Sequence, residues 1–227
     1  MSGDVQTIVA ARRLADARSV FIGVGRPSTA AILAREIINP ELVLVYESGT
    51  IGAKPRTIPL SIGDGELAAT ADFVVSVPEM FNYWIQPGRI EVAFLGAAQV
   101  DPRGALNSTV IGDYAAPRTR LPGAGGAPEI ARGCPRVMVV APHSRRTFVA
   151  QLDFLTTPTA PEAVITDLGV LEPGDDGELT LTEIHPGVTV EQVRENTGWE
   201  LKVAGDLRVT DAPTAEEQRA LEELVAR

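Results

Sequence analysis

The sequence predicts an α/β protein: an open, mostly parallel sheet with helices on both faces. Three observations carry this. Five short runs, Ser19–Gly23, Leu42–Tyr46, Phe73–Val77, Glu91–Leu95 and Arg136–Val140, are near-continuously apolar. Runs without polar alternation read as strands covered on both faces, which is the habit of parallel sheets. Helical spacing fills several of the intervals, so strand, helix and strand alternate as in right-handed βαβ units. Finally, 227 residues with 44% hydrophobic and 22% charged content make an ordinary globular composition. A chain of that length buries roughly 70% of its unfolded surface and needs no disulfide or metal to fold. A single domain over residues 1–227 is expected, with an irregular or hairpin excursion around 156–183.

Taken in order, Val5, Ile8, Val9 and Leu14 recur at helical spacing ahead of the first strand. After that strand, Ser28 is an expected N-cap for a helix burying Ile32, Leu33 and Ile37 and ending before Pro40. Turn chemistry punctuates the middle at Gly63–Gly65, Gln86–Gly88, Asp101–Gly104 and Leu121–Gly126. Glu178–Glu183 alternates like an edge strand. Thr189 is placed to open a short helix through Asn196, with Gly198 as its C-cap signal. Thr214 and Glu217 have capping-box spacing at the head of an amphipathic C-terminal helix.

Thirty acidic against twenty basic residues give a formal charge of −10, which excludes the basic footprint of a nucleic-acid binder. One cysteine, Cys134, allows no intramolecular disulfide framework and no multi-cysteine metal site, and two histidines, His143 and His185, do not suggest a metal centre. The N-terminal stretch has Asp4 and a helical pattern rather than a signal peptide. No run approaches membrane-span length, so a cytoplasmic protein is expected.

Three features point to chemistry. Gly23-Val-Gly25-Arg-Pro-Ser28 follows the first strand and opens a helix. It approximates a dinucleotide fingerprint, with Glu47 at the end of the next strand where a ribose-binding acid would sit. Pro27 removes an N–H that a phosphate would want, and a plain strand-to-helix turn explains both glycines as well. Next, Tyr46-Glu47-Ser48-Gly49 puts a carboxylate at the carboxyl end of a buried strand, where open α/β sheets bind ligands. Such a glutamate can bind ribose, act as a base or attack an acyl group. Third, Gly123-Ala-Gly125-Gly126 exposes successive backbone N–H groups, as an anion nest or oxyanion hole requires. Arg118 and Arg120 precede it as cations for a phosphate or carboxylate. Phe81-Asn-Tyr-Trp84 is an aromatic cluster in a chain with only 5% aromatics, fit for a cavity wall, a core or an interface.

Together these pieces resemble the β subunit of class I coenzyme A-transferases, most closely the glutaconate CoA-transferase β-subunit type. The blocks that carry the resemblance are Tyr46–Gly49, Pro59–Asp64, Met80–Arg89, Phe94–Asp101 on to Asn107–Gly112, and Gly123–Gly126, with His185–Trp199 adding a similar C-terminal segment. They cover most of the chain in the right order. The resemblance implies a CoA-transferase-like fold, a separate α subunit as partner, and no permanently bound cofactor, with the coenzyme A thioester as substrate. It implies that Glu47 attacks the acyl-CoA and carries CoA as a glutamyl thioester to an acceptor carboxylic acid. Gly123, Gly125 and Gly126 are implied as the oxyanion or anion loop, and Ser48, Gly49, Gln99 and Phe81 as the acyl and CoA pocket, with no metal. A thioester or ring-opening hydrolase on the same fold, a nicotinamide-binding domain built on Gly23, Gly25 and Glu47, and a non-catalytic supporting subunit are the competing readings. Retention of Glu47-Ser48-Gly49 favours transfer.

Overall fold

The computed structural model describes residues 2–227. Its elements begin with α1 (Ser2–Arg12), β1 (Ser19–Ile22), α2 (Arg26–Ile37), β2 (Val43–Tyr46), β3 (Thr50–Ile51), α3 (Gly65–Thr70), β4 (Phe73–Val74) and α4 (Val77–Glu79). A π-helical turn, Met80–Ile85, extends α4, and β5 (Val92–Leu95), β6 (Gln99–Val100), β7 (Leu106–Asn107), β8 (Val110–Gly112) and β9 (Pro117–Arg120) follow. The chain continues through α5 (Ala127–Gly133), β10 (Arg136–Val140), β11 (Ala163–Ile165), β12 (Gly169–Pro173), β13 (Leu179–Ile184), α6 (Val190–Glu195), β14 (Lys202–Val209) and α7 (Ala215–Ala226). Two compact units emerge. One takes the chain up to Leu95 with Gly133–Arg136 and Ala212–Arg227; the other takes Gly96–Arg132 and Val137–Asp211.

In the first unit β1 lies between β2 and β5 and pairs in parallel with both, placing Ile22 opposite Tyr46. Val20, Phe21, Ile22, Leu44, Val45 and Tyr46 are all buried, as their unbroken apolar runs require. Helix α2 buries Ala30, Ala31 and Ala34 beside Ile32 and Leu33. The small residues let α1 and α7 pack closely against it. Arg12 on α1 donates from Nε to Glu217 Oε1 at 2.7 Å and from Nη2 to Glu217 Oε2 at 2.6 Å on α7. Glu217 also completes the expected capping box with Thr214.

Two expectations change here. Helix α2 is capped by Gly25, at φ +82°, and not by Ser28. Pro27 sits in the first turn, where its missing N–H costs nothing, so the helix starts earlier and Ser28 is buried. The run Phe73–Val77 is not a doubly covered strand. Only Phe73 and Val74 are extended, at 44% and 55% exposure, and they pair with β3 alone at the edge. Beyond them the Val75 N–H donates to the Gly49 carbonyl, and Ser76 caps α4.

The second unit pairs β10 with β11 in parallel, β12 antiparallel to β11 and β13, and β14 parallel to β13. Outside the ribbons β6–β7 and β8–β9, every antiparallel pairing between two of these strands involves β3 or β12, so the open sheet is mostly parallel as predicted. The excursion around 156–183 contains the β12–β13 hairpin and also β11. Strand β13 is not an edge, because β14 pairs along it. The sequence hides β14, since its mixed polar residues are mostly exposed or half-buried. Helix α6 is capped by Thr189 and runs to Asn196 as expected, but Asn196 itself is the C-cap and Gly198 is not. Gly198 serves packing instead: its N–H donates to the Phe148 carbonyl at 2.8 Å, and a Cβ there would lie 2.5 Å from the same oxygen.

Both histidines belong to this unit's interior. His143 stacks on Phe148 with ring centroids 4.0 Å apart, its Nδ1 3.1 Å from Thr166 Oγ1 and its Nε2 3.0 Å from Thr197 Oγ1. His185 Nε2 donates to the Thr166 carbonyl at 2.8 Å. Burial pushes His143 down from 6.5 to about 4, against a smaller opposing pull from Asp167, and burial also lowers His185. With the native pKa depressed, the stabilisation is complete above pH 6.5 and is lost as pH falls from 6.5 to about 4, where the unfolded chain binds the extra proton. His143 alone accounts for about 3 kcal/mol over that window. Urea midpoints measured between pH 7.5 and 4.5 are expected to fall, and His143→Gln to flatten the decline; an equally steep decline in that variant contradicts the assignment.

Candidate active site

Tyr46, the last residue of β2, is fully buried. The chain then reverses through Glu47 and Ser48, with the Gly49 N–H donating to the Tyr46 carbonyl at 2.9 Å. Gly49 has φ +98°, and a Cβ placed on it would lie 1.9 Å from the Val75 carbonyl oxygen. Its own carbonyl accepts the Val75 N–H at 2.9 Å. No residue with a side chain fits that position, which is the physical reason for the glycine. Glu47 therefore stands on a tight, pinned turn at the carboxyl end of a parallel strand. It is half-buried and makes no hydrogen bond or ion pair with the described residues.

The surroundings of the turn are partly uncommitted. Ser48 Oγ and Thr50 Oγ1 are buried without a hydrogen-bond partner among the described residues, a situation that costs about 1–3 kcal/mol per group unless something bonds to them. Beneath the turn, Tyr46 Oη lies 2.9 Å from Ser28 Oγ. Burial raises the Tyr46 phenol to about 12 despite that hydrogen bond, so it stays protonated and structural. The Gly23–Gly25 loop leads from β1 directly into α2, and β1 is the parallel neighbour of β2. Phe81 is half-buried on the π-helical turn, where the Gln86 N–H reaches back five residues to the Phe81 carbonyl at 3.0 Å. Such turns recur at functional sites. Trp84 packs against Phe73 with centroids 5.5 Å apart.

Glu47, Ser48, Gly49 and Phe81 belong to the first unit, while Gln99 and the Gly123–Gly126 loop belong to the second. Gln99 is only 5% exposed, and its amide is well used. Its oxygen accepts from Asn107 Nδ2 at 2.7 Å and from the Asp153 N–H at 3.0 Å, and its Nε2 donates to Asp153 Oδ2 at 3.0 Å. Asp153 Oδ2 also accepts the Gly112 N–H at 2.9 Å. This network ties β6, β7 and β8 to the 153 segment. Asn107 and Asp153 carried no signal in the sequence, because hydrogen bonds between residues so far apart leave no spacing pattern.

In the glycine loop, the Gly123 N–H is taken by the Ser108 carbonyl at 2.8 Å, and Ser108 Oγ donates back to the Gly123 carbonyl at 2.9 Å. The N–H groups of Ala124, Gly125 and Gly126 have no acceptor among the described residues. Gly123 and Gly125 have φ +99° and +49°, and a Cβ on either would meet nothing within 4 Å. Their use is conformational freedom and open approach to the backbone, which is what an anion-binding loop needs.

Other nucleophiles and acids are set aside by their surroundings. Burial lifts the Cys134 thiol to about 12, so it is not a thiolate at neutral pH. Among the described residues no cluster of His, Cys, Asp and Glu is arranged to hold a metal ion, and no helix is long and apolar enough to cross a membrane.

Residues 5–196 match the family described as Coenzyme A transferase. The chain is 51% identical over 243 aligned positions to the β subunit of 3-oxoadipate CoA-transferase from Pseudomonas knackmussii, covering 100% of this chain and 94% of that one. It is 30% identical to the β subunit of glutaconate CoA-transferase from Acidaminococcus fermentans over 88% of this chain and 84% of that one. The crystal structure of glutaconate coenzyme A-transferase from the same organism superimposes with a TM-score of 0.93 at 27% identity, covering 99% of this chain and 94% of its counterpart. With an open α/β sheet, a carboxylate at the end of β2 and relatives that match almost throughout, the chain belongs to the coenzyme A transferase family as a class I β subunit.

Proposed function

We propose that this chain is the β subunit of a two-subunit enzyme that moves CoA from an acyl-CoA to an acceptor carboxylate, with Glu47 as the covalent carrier. One observation carries the reading: Glu47 projects from a conformationally locked turn at the end of β2, with no partner among the described residues to occupy its carboxylate. The 3-oxoadipate and glutaconate relatives are each named as one subunit of a CoA-transferase, which supports a separate α subunit as partner. The 51% identity to the 3-oxoadipate enzyme makes that dicarboxylic keto acid the first candidate substrate. We place the enzyme in the cytoplasm. CoA enters and leaves as substrate, and no resident cofactor takes part.

The chemistry follows from what a carboxylate needs. In water it is a poor nucleophile toward a thioester, so it must be held in a near-attack geometry away from bulk solvent. The pinned Gly49 removes the freedom that would otherwise be lost on reaction. Attack of Glu47 Oε on the thioester carbonyl expels the CoA thiolate and leaves a mixed acyl-glutamyl anhydride. The thiolate then attacks the glutamyl carbonyl, forming a glutamyl-CoA thioester and releasing the donor acid. The acceptor carboxylate repeats these two steps in reverse order and departs as its CoA thioester. One thioester and one carboxylate are present at the start and the end, so neither net proton nor redox change is needed. Each tetrahedral intermediate carries an oxyanion, and the free N–H groups of Ala124, Gly125 and Gly126 are donors of the required kind, each worth a few kcal/mol. Ser48 and Thr50 offer buried hydroxyls for the acyl or pantetheine portion. No observation favours hydrolysis or nicotinamide binding, and Pro27 in the first turn of α2 removes a donor from the Gly23 loop.

Steady-state kinetics of the co-expressed αβ complex test this directly. With 3-oxoadipate as acceptor and a panel of acyl-CoA donors, double-reciprocal plots are expected to be parallel, as a two-stage carrier requires. CoA released at an undiminished rate without acceptor would make the enzyme a hydrolase instead.

A further inference from the structure

The β8–β9 ribbon ends in an ordered tip with an unusual surface. Asp113 Oδ1 accepts the N–H groups of Ala115 at 2.7 Å and Ala116 at 3.2 Å, fixing the turn. Tyr114 is 56% exposed, yet it stacks on Phe154 with centroids 5.2 Å apart. The Arg120 guanidinium lies 4.6 Å from the Tyr114 ring centroid, and its Nη2 donates to the Tyr114 carbonyl at 2.8 Å. Arg118, two residues earlier on β9 and therefore on the same face, is exposed and makes no hydrogen bond or ion pair with the described residues. The platform is braced from below: Asp153, next to Phe154, holds the Gly112 N–H of β8 and the amide of Gln99.

Arg12, Arg18, Arg56, Arg136, Arg208 and Arg227 pair with carboxylates; Arg118 and Arg120, like several other arginines, do not, and what sets this pair apart is the aromatic ring beside Arg120. A polyanion approaching a chain of charge −10 needs cations that are not already neutralised. An exposed tyrosine ring and a half-buried phenylalanine ring braced beside two arginines offer a flat stacking face and fork-shaped phosphate donors together, and a prearranged site spends less free energy on ordering. The same strand leads within three residues to Gly123, the start of the loop in which the N–H groups of Ala124, Gly125 and Gly126 have no acceptor among the described residues.

Resting on the CoA-transferase reading above, we propose that the β8–β9 tip is the subsite for the phosphorylated adenosine end of CoA: Tyr114 and Phe154 take the purine and Arg118 and Arg120 take its phosphates. Discrimination would come from the nucleotide handle, which the acyl group and the pantetheine arm lack.

The test uses the αβ complex and one acyl group presented on CoA and on pantetheine. In Arg118→Gln and in Arg118→Gln/Arg120→Gln, KM for the CoA thioester is expected to rise at least about tenfold, the size of a lost charge-assisted hydrogen bond. The kcat/KM for the pantetheine thioester is expected to stay within about twofold, and inhibition by adenosine 3′,5′-bisphosphate to weaken in parallel with the CoA effect. Equal losses on both thioesters, or none on either, overturn the proposal. So does dissociation of the variant complex in size-exclusion chromatography, which would mark the tip as an α-subunit contact. Wild-type complex that consumes neither thioester sinks the CoA-transferase reading itself and the subsite with it.

Discussion

Glu47→Gln in the αβ complex is expected to lower kcat for CoA transfer by about 10³-fold or more, because the amide cannot serve as the attacking oxygen. The fold should not notice. Glu47 makes no hydrogen bond or ion pair with the described residues, so the change belongs with surface substitutions that move stability by no more than about 0.5 kcal/mol. Activity measured alongside a thermal melt separates these effects. Wild-type turnover in a folded variant would reduce this chain to a supporting role and leave the chemistry to its partner.

Gly49→Ala is expected to have the largest effect on stability. The new methyl would sit 1.9 Å from the Val75 carbonyl oxygen at a residue with φ +98°. Left-handed strain and the backbone clash together cost roughly 2–4 kcal/mol. Relief requires the turn to detach from Val75, which moves Glu47 as well, so kcat should fall in the fraction that remains folded. Urea unfolding of the complex reads the first effect and initial rates the second. Gly125→Ala is the contrasting case. It meets no atom within 4 Å at φ +49°, so only the left-handed penalty of about 1–2 kcal/mol applies. An unaltered midpoint in Gly49→Ala would show that Val75 yields easily and that the turn is not pinned.

Much of this was legible in the chain because it is local. Doubly buried strands announce themselves as unbroken aliphatic runs, so β1, β2, β5 and β10 could be read to within a residue. The capping box at Thr214 depends on three-residue spacing and is legible for the same reason, as is Thr189 as the start of α6. The strand that leads to Glu47 was legible too, since β2 is one of the unbroken aliphatic runs and ends at Tyr46.

What escaped depends on contacts between distant residues or on exposure. Phe73–Val77 is as apolar as β2, yet nothing in its composition says that it stops after two residues and lies at an edge. Ser28 has the chemistry of an N-cap and became a buried partner for Tyr46 once Pro27 moved the helix start. Gly198 resembled a helix stop and instead makes room for Phe148. Strand β14 has no apolar periodicity, because it is mostly exposed or half-buried. The Gln99–Asp153–Asn107 network joins residues up to 54 positions apart, and the platform of Tyr114, Phe154 and Arg120 needs the same long closure.

The most direct measurement is peptide mass mapping of the αβ complex after incubation with acyl-CoA and treatment with borohydride, which reduces a glutamyl thioester to the alcohol. One modified peptide is expected, spanning Glu47 and carrying the reduced side chain, absent without acyl-CoA and absent in Glu47→Gln. An unmodified Glu47 in complex that is actively transferring CoA would contradict the covalent carrier.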